Sequence, residues 1–558
     1  MRPFAVALLS AVMLTAGMSS RVVAAEIIVT SVQPFSGLGD VGDGVCTLDE
    51  AVLSANTNGA VGSLDCAPGQ IGADVVVLGP GTYALLPSDL ARVDGLGALR
   101  ESLQIAGAGA GATLILAAGR ASTPVAVDPS AADIEVALTA LTLAGDSRQE
   151  GFRGVDLQGS GFTGARRDLI VADSVIRDFD MVNGSGGGIL STVGTVTLLR
   201  AAIVHNSADN GGGLFIGSSG SAVVLDSTLS HNVAVRGLGG GLVLNPSAVG
   251  TVLNSTVARN EALSVGGVFT ASGSVLEMAN TTVSENMSTL FTGGVRAFGL
   301  TRVANSIVLA NVSGDCSGFV LSDDYNLFGL GAGCPVTGAG DREVDPAVTF
   351  TEILGPLADN GGPTQTYAPL PGSLAVDSGD PAGCMDPGGV ALDADQAGGP
   401  RPVDGDGDGL AICDVGSFEF QLARTPADEL ADLQALVDSL GLRPGTAISL
   451  LAKLDNALRK LLAGQTEVAI NNLVAFIHAV EAQSGKKIDP ADAQALIDAA
   501  RALIDRLLAG DGQTVSSPRS IPAPGPATLT TPPHRLPGPS SGVPRTSRSH
   551  RRSHGRTR

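Results

Sequence analysis

One eight-residue segment recurs through the middle of the chain, closing each time on Asn or Asp. The copies are Val171-Ala-Asp-Ser-Val-Ile-Arg-Asp178, Leu199-Arg-Ala-Ala-Ile-Val-His-Asn206, Leu225-Asp-Ser-Thr-Leu-Ser-His-Asn232, Leu253-Asn-Ser-Thr-Val-Ala-Arg-Asn260, Ala279-Asn-Thr-Thr-Val-Ser-Glu-Asn286 and Ala304-Asn-Ser-Ile-Val-Leu-Ala-Asn311. From position 178 they follow at steps of 28, 26, 28, 26 and 25 residues. Glycine turns keep the same phase: Gly186-Gly187-Gly188, Gly211-Gly212-Gly213, Gly239-Gly240-Gly241, Gly266-Gly267 and Gly293-Gly294. Self-similarity at a fixed period of this size marks a repeat architecture and decides the fold ahead of local propensity.

Between the turns lie short runs of Val, Ile, Leu and Thr in near alternation, such as Gly213-Leu-Phe-Ile216 and Ala222-Val-Val-Leu225, and these read as strands. One unit cannot bury its own apolar face. Stacked units can, each strand pairing with its copy in the next coil. The expected fold class is therefore mainly β, a right-handed parallel β-helix. Aromatics are 3% of the chain and Trp is absent, which suits a narrow interior filled by aliphatic ladders. No LxxLxL pattern recurs, which argues against leucine-rich repeats. Gly is 75 of 558 residues without a Gly-X-Y period, and hydrophobics at 44% exclude wholesale disorder.

The alignment predicts two columns. Asp178, Asn206, Asn232, Asn260, Asn286 and Asn311 form a structural ladder at one turn, where Asn hydrogen-bonds along the stack and tolerates left-handed geometry. Beside it run Arg177, His205, His231, Arg259, Glu285 and Ala310, either a mixed basic stripe facing an acidic glycan or a solvated turn edge.

Residues 1–25 have the form of a secretory signal: Arg2, an apolar core over residues 4–18, and the small-residue site Val23-Ala24-Ala25. No later apolar run reaches the roughly 18 residues of a membrane helix. The expected localisation is secreted or cell-surface. The six cysteines suit an oxidising compartment, and the simplest of their 15 pairings is local: Cys46 with Cys66, Cys316 with Cys334, Cys384 with Cys413. Net charge is −21, so the folded body is not expected to bind nucleic acid.

Before the repeats, Cys46-Thr-Leu-Asp-Glu-Ala, then Cys66 and Gly79-Pro-Gly-Thr-Tyr83, resemble the start of secreted β-helix proteins of the CSLREA type, with Asp49 where that family has Arg. After them come Ile353-Leu-Gly-Pro-Leu-Ala-Asp-Asn-Gly-Gly-Pro-Thr-Gln-Thr-Tyr367, Ser373-Leu-Ala-Val-Asp-Ser-Gly379, Asp395-Gln-Ala-Gly-Gly-Pro-Arg401 and Cys413-Asp-Val-Gly-Ser-Phe-Glu419. These resemble the C-terminal end of choice-of-anchor proteins, related to polymorphic outer-membrane passengers. The resemblance implies an N-terminal cap with first coils over 26–170, repeats over 171–345 and a β-helix end over 346–424.

Residues 425–510 switch to helical spacing. Start and stop signals place four helices: from Thr425-Pro426 to Gly441, Thr446 to Gly464, Thr466 to Gly485, and Asp489-Pro490 to Gly510. Asn472-Leu-Val-Ala-Phe476-Ile477-His478-Ala-Val480 with Gly485-Lys-Lys-Ile488 resembles the FIMAH domain. His478 reads as a helix-surface residue. Residues 511–558 are rich in Pro, Ser and Arg and are expected to be a disordered tail.

For chemistry, Asp404-Gly-Asp406-Gly-Asp408-Gly409 with Asp414 beyond offers acidic residues at alternate positions around glycine turns, an expected Ca²⁺ site. Val415 stands where an EF-hand would place Glu, so the loop departs from the EF-hand pattern. No GxSxG, HExxH or Walker motif occurs, and no catalytic set is readable. The expected role is non-enzymatic adhesion or binding of a polysaccharide or surface glycan. A polysaccharide lyase or glycoside hydrolase and a structural passenger scaffold are the alternatives. The oligomeric state is not readable.

Overall fold

The computed structural model describes residues 24–33, 43–58, 65–85, 98–117, 123–128, 131, 133–146, 151–158, 165–422 and 425–509. The expected signal sequence and the tail lie outside them, but for Ala24 and Ala25. The chain divides into two compact units, one ending at Leu422 and one beginning at Ala423.

The first unit is a parallel β-helix. Its strands form three sheets of 16, 11 and 5 strands, and within the sheets every strand pairing is parallel, linking one coil to the next. A single coil runs through Leu242–Leu244, Val249–Leu253, Thr256–Ala258 and Glu261–Ala262 before the next glycine turn. The register stacks like on like. Ile176, Ile203, Leu229, Val257, Val283, Val308 and Phe328 fall in one column, each fully buried. The long sheet does the same with Leu214, Leu242, Val268 and Val295. Coils one strand separation apart press each interior side chain against its copy in the next, aliphatic on aliphatic until the Phe328 ring at the end of its column. Gly213 and Gly241 show the same crowding at the turn. A Cβ on Gly213 would sit 2.8 Å from the Gly241 carbonyl oxygen and 2.9 Å from the Asn232 amide nitrogen.

Two hydrogen-bonded ladders pin the corners. The Oδ1 of Asn232 accepts from the backbone and side-chain nitrogens of Asn206, at 3.0 and 3.1 Å. Asn260, Asn286 and Asn311 repeat the pattern one coil at a time. At the last rung Asn311 donates twice to Asp315, both at 2.8 Å. Each rung donates forward, so the series closes on a group that only accepts. The first rung corrects the sequence alignment. Arg177 pairs with Val204, so Asp178 stands beside His205, and Phe179, not Asp178, occupies the ladder column. The Phe179 backbone N–H donates to Asn206, which is all a first rung requires. The left-handed residue is likewise not the Asn but its predecessor: His205, His231, Arg259, Glu285 and Ala310 all have φ near +55° (52° to 61°).

The second ladder was legible in the same segments but not singled out: Ser174, Ser227, Ser255, Thr281 and Ser306 each follow a repeated Asp or Asn. The Ser227 Oγ accepts from Ala201 N–H, Ser255 from Ser227, and Ser306 from Thr281. This series also ends on a carboxylate, through Asn326 to Asp341.

At the start, helix α1 (Leu48–Thr57) is opened by a capping box of Thr47 and Glu50, and Leu48, Ala51, Val52 and Ala55 join the interior of the first coils. At the other end, the chain after Arg342–Val344 makes no further coils. Residues 346–422 fold back as a strap of turns and isolated antiparallel bridges along the 11-stranded sheet. The sheet records where the strap lies. Ala202–Val204 alternates in burial, whereas Thr228–Ser230, Thr256–Ala258 and Thr282–Ser284 are buried at every residue.

The second unit is a bundle of α2 (Pro426–Ser439), α3 (Pro444–Leu462), α4 (Thr466–Gln483) and α5 (Pro490–Ala509). Its core includes Leu430, Leu454, Phe476 and Leu496. Helix α3 starts two residues before the expected Thr446, because Pro444 supplies the first-turn φ, and Thr446 is buried inside it. His478 is 72% exposed and faces Glu481 at 3.2 Å.

Candidate functional site

The corner between the 11- and 5-stranded sheets carries the residues of the predicted stripe. His205 and His231 stack with ring centroids 4.7 Å apart. The Arg259 Nε donates to the Glu285 carboxylate at 2.7 Å, and the Tyr367 hydroxyl donates to the same carboxylate at 2.7 Å. Tyr367 arrives from the strap, 82 residues along the chain, and is 1% exposed. Burial, then the bond to Glu285, pushes its phenol well above the ordinary range, so it is held as a donor. Burial lowers His231, and His205 and Arg259 add to the effect. The stripe is thus not a free basic column: Arg177 pairs with Asp178, and Arg259 with Glu285. An open cavity of about 380 Å³ lies over this corner, lined by His231, Arg259, Glu261, Glu285, Met287 and Phe350 among others.

The acidic loop turns on its own carboxylates. The two oxygens of Asp404 accept from the N–H groups of Gly407 and Gly409 at 2.7 and 2.9 Å. Asp377, which the sequence did not single out, enters from the strap and accepts from Gly405 and Asp406 at 2.8 and 2.7 Å. Oxygens of Asp377, Asp404 and Asp406 lie within 4.8 Å of one another. Three hard oxygen ligands with lone pairs to spare fit a Ca²⁺ ion, with the rest of a six- to eight-oxygen shell left to carbonyls and water. The expected set is corrected in two places. Asp408 instead closes the next turn, accepting from Leu410 at 2.8 Å. Asp414 points inward, fully buried, and accepts from the N–H groups of Asp377 and Phe420. Its position in the chain suggested a loop ligand, but it lies in a run buried from Cys413 to Ser417, inside the core.

There Asp414 joins a buried charged cluster. The Arg401 Nε lies 3.2 Å from Glu419, with both side chains fully buried. Arg401 also donates to Asn254 at 2.7 Å and to the Asp414 carbonyl at 3.0 Å. Asp395 accepts from the Glu419 N–H at 2.9 Å. Gln396 plugs into the sheet, donating to Thr228 and accepting from Thr256 at 2.8 and 2.7 Å. Burial raises Asp395 and Glu419, and burial with the charge of Glu419 pushes Asp414 up to about 8. The C-terminal motifs read from the sequence therefore clasp the strap to the helix.

Cys46–Cys66, Cys316–Cys334 and Cys384–Cys413 are bonded as disulfides, the last within the strap. Such bonds suit an oxidising compartment. No helix among the described residues is long and apolar enough to cross a membrane.

The FIMAH domain model matches residues 427–505, the helical unit. A comparison with curated proteins gives no match. Among solved structures, the Azotobacter vinelandii mannuronan C-5 epimerase AlgE6 A-module aligns at 16% identity and a TM-score of 0.24, over 55% of this chain and 94% of that one.

Proposed function

We propose that this chain is an exported β-helix protein that binds a polysaccharide or surface glycan without cleaving it. The observation that carries the reading is the corner cavity. It mixes a charged pair, Arg259 and Glu285, with the apolar side chains of Met287, Val312 and Phe350 in a volume of about 380 Å³, suited to one or two sugar rings. Chain cleavage by elimination or hydrolysis needs a free base or a pair of available carboxyls. Here Glu285 is held by Arg259 and Tyr367, and Tyr367 stays protonated, so any cleavage would fall to His231 and Glu261 on the same cavity wall, which the product assay below decides. The export reading rests on residues 1–25 and the six cysteines, and the CSLREA and choice-of-anchor resemblance on the motifs quoted above. We further propose that Ca²⁺, held by Asp377, Asp404 and Asp406, steadies the far end of the strap.

The test is a panel of acidic and neutral polysaccharides presented to the chain from residue 26 with Ca²⁺ present. Retention without new reducing or unsaturated ends, weakened at least tenfold in Arg259→Gln, is the expected result. Product formation would overturn the non-enzymatic reading. Failure to retain any glycan would overturn binding altogether.

A further inference from the structure

Seven arginines lie in the repeats, at 177, 200, 236, 259, 296, 302 and 342. Five meet carboxylates: Asp178, Asp173, Asp209, Glu285 and Asp323. Arg342 donates to Ser378. The Arg296 side chain has neither a hydrogen bond nor an ion pair among the described residues, in a chain whose net charge is −21. Its guanidinium instead lies between two rings, 4.1 Å from the centre of Phe291 and 5.0 Å from that of Phe298.

The setting is built, not incidental. Arg296 continues an outward column of the long sheet formed by Phe215, Val243 and Phe269, in strict parallel register. Phe269 meets Phe298 edge to face at 5.8 Å. Phe291 is fixed by its backbone N–H, which donates to the Ser288 hydroxyl at 3.1 Å. Both flanking rings nevertheless stay about half exposed, Phe291 at 52% and Phe298 at 47%. Two half-bare rings and a cation thus share one exposed spot, a mixed apolar and cationic patch. The rings hold the guanidinium plane, and its N–H donors remain free for a planar anion taken bidentately.

We infer that Arg296, held between Phe291 and Phe298, is the carboxylate-reading subsite of the glycan-binding surface and selects a uronate-containing polysaccharide. The inference rests on the glycan-binding reading and names its substrate class. The same coil passes both places. Glu285 and Met287 line the corner cavity, and the chain then runs through Phe291 to Arg296, so one coil presents a neutralised pocket and a free cation to an extended ligand. A lone cation matches one carboxylate per few sugars, not the dense phosphates of a nucleic acid.

The experiment is titration calorimetry on the chain from residue 26, with hexamers of galacturonate, mannuronate and glucuronate, each also as its methyl ester. The native protein binds at least one acid hexamer and discriminates against its ester. Arg296→Gln weakens the acid hexamer about tenfold or more and removes the discrimination. Phe298→Ala weakens acid and ester alike. Arg296→Gln leaves the melting temperature unchanged, and Phe298→Ala, which uncovers Phe269, is compared only on protein that keeps the native circular-dichroism spectrum. Unchanged uronate binding in Arg296→Gln overturns the inference. Binding of neutral polysaccharides only, sensitive to Arg259→Gln, also overturns it while leaving the glycan-binding reading standing. Loss of a concentration-dependent dimer in Phe298→Ala, with no effect on uronate binding, would assign the rings to a second copy of the chain and overturn it as well.

Discussion

At the scale of single residues, the fold depends on polar groups that are buried and fully used. Asn260 accepts two bonds from Asn232 and donates to both Leu229 and Asn286. Asn260→Ala leaves the backbone N–H and one of the two side-chain N–H groups of Asn232 without an acceptor in the interior, the other still donating to Ile203, and should cost about 2–6 kcal/mol of stability in urea unfolding, at about 1–3 kcal/mol per orphaned group. A loss below about 0.5 kcal/mol would show that the ladder is ornamental. The carboxyl of Asp414 gives the pH dependence. Its folded pKa, about 8, lies above its ordinary value of 3.8, so between these limits the native state holds a proton that the unfolded state has released. Stability from this group is full below about pH 4 and falls as pH rises toward 8. Asp395 and Glu419, raised by the same burial, act in the same direction. Denaturant midpoints should therefore fall from pH 5 to pH 8, and the fall should persist in 0.5 M salt, since buried groups are screened weakly. A midpoint that rises over this range would refute the assignment.

At the scale of elements, the strap is the part whose attachment is chemical and not periodic. Its loop from Cys384 to Cys413 spans 29 residues. Replacing both cysteines by Ser should cost about 3–4 kcal/mol by loop entropy. The ion pair of Arg401 and Glu419 responds differently. Arg401→Met leaves buried carboxylates without their cation and should cost about 3–5 kcal/mol. In both variants limited proteolysis should cut within residues 346–422 before it touches the repeats. Cutting first within 171–311 would show that the strap is not the weak element. The four-helix unit is the simpler case, since Thr425, Pro426, Pro444 and Pro490 set its boundaries locally.

At the scale of the whole molecule, the two units have separate buried cores, one along the β-helix and one around Leu454 and Phe476. Scanning calorimetry should resolve two transitions. Saturating Ca²⁺ should raise only the one belonging to the β-helix, by about 2.7 kcal/mol at a hundredfold excess over Kd. Asp406→Ala should abolish that rise. An equal rise in both transitions, or none in the native chain, would exclude the acidic loop as a Ca²⁺ site.

The sequence alone determined the coil, because a strand that stacks on its own copy must repeat its residues, and the 25- to 28-residue period of the Asn segments is that copy. It also showed the helical unit, whose caps and prolines act within a few residues of where they stand. Even so, the alignment slipped by one at Asp178, where the first rung needs only a backbone donor and the column holds Phe179. What the sequence did not show is everything brought together across the strap. Tyr367 meets Glu285 from 82 residues away, Gln396 reaches Thr228 from 168, and Asp377 replaces Asp414 beside the acidic loop. No period links these residues. Their partners follow from the path of an irregular segment over a regular surface, and only burial decides which carboxylates face solvent and which are raised toward the protonated form inside.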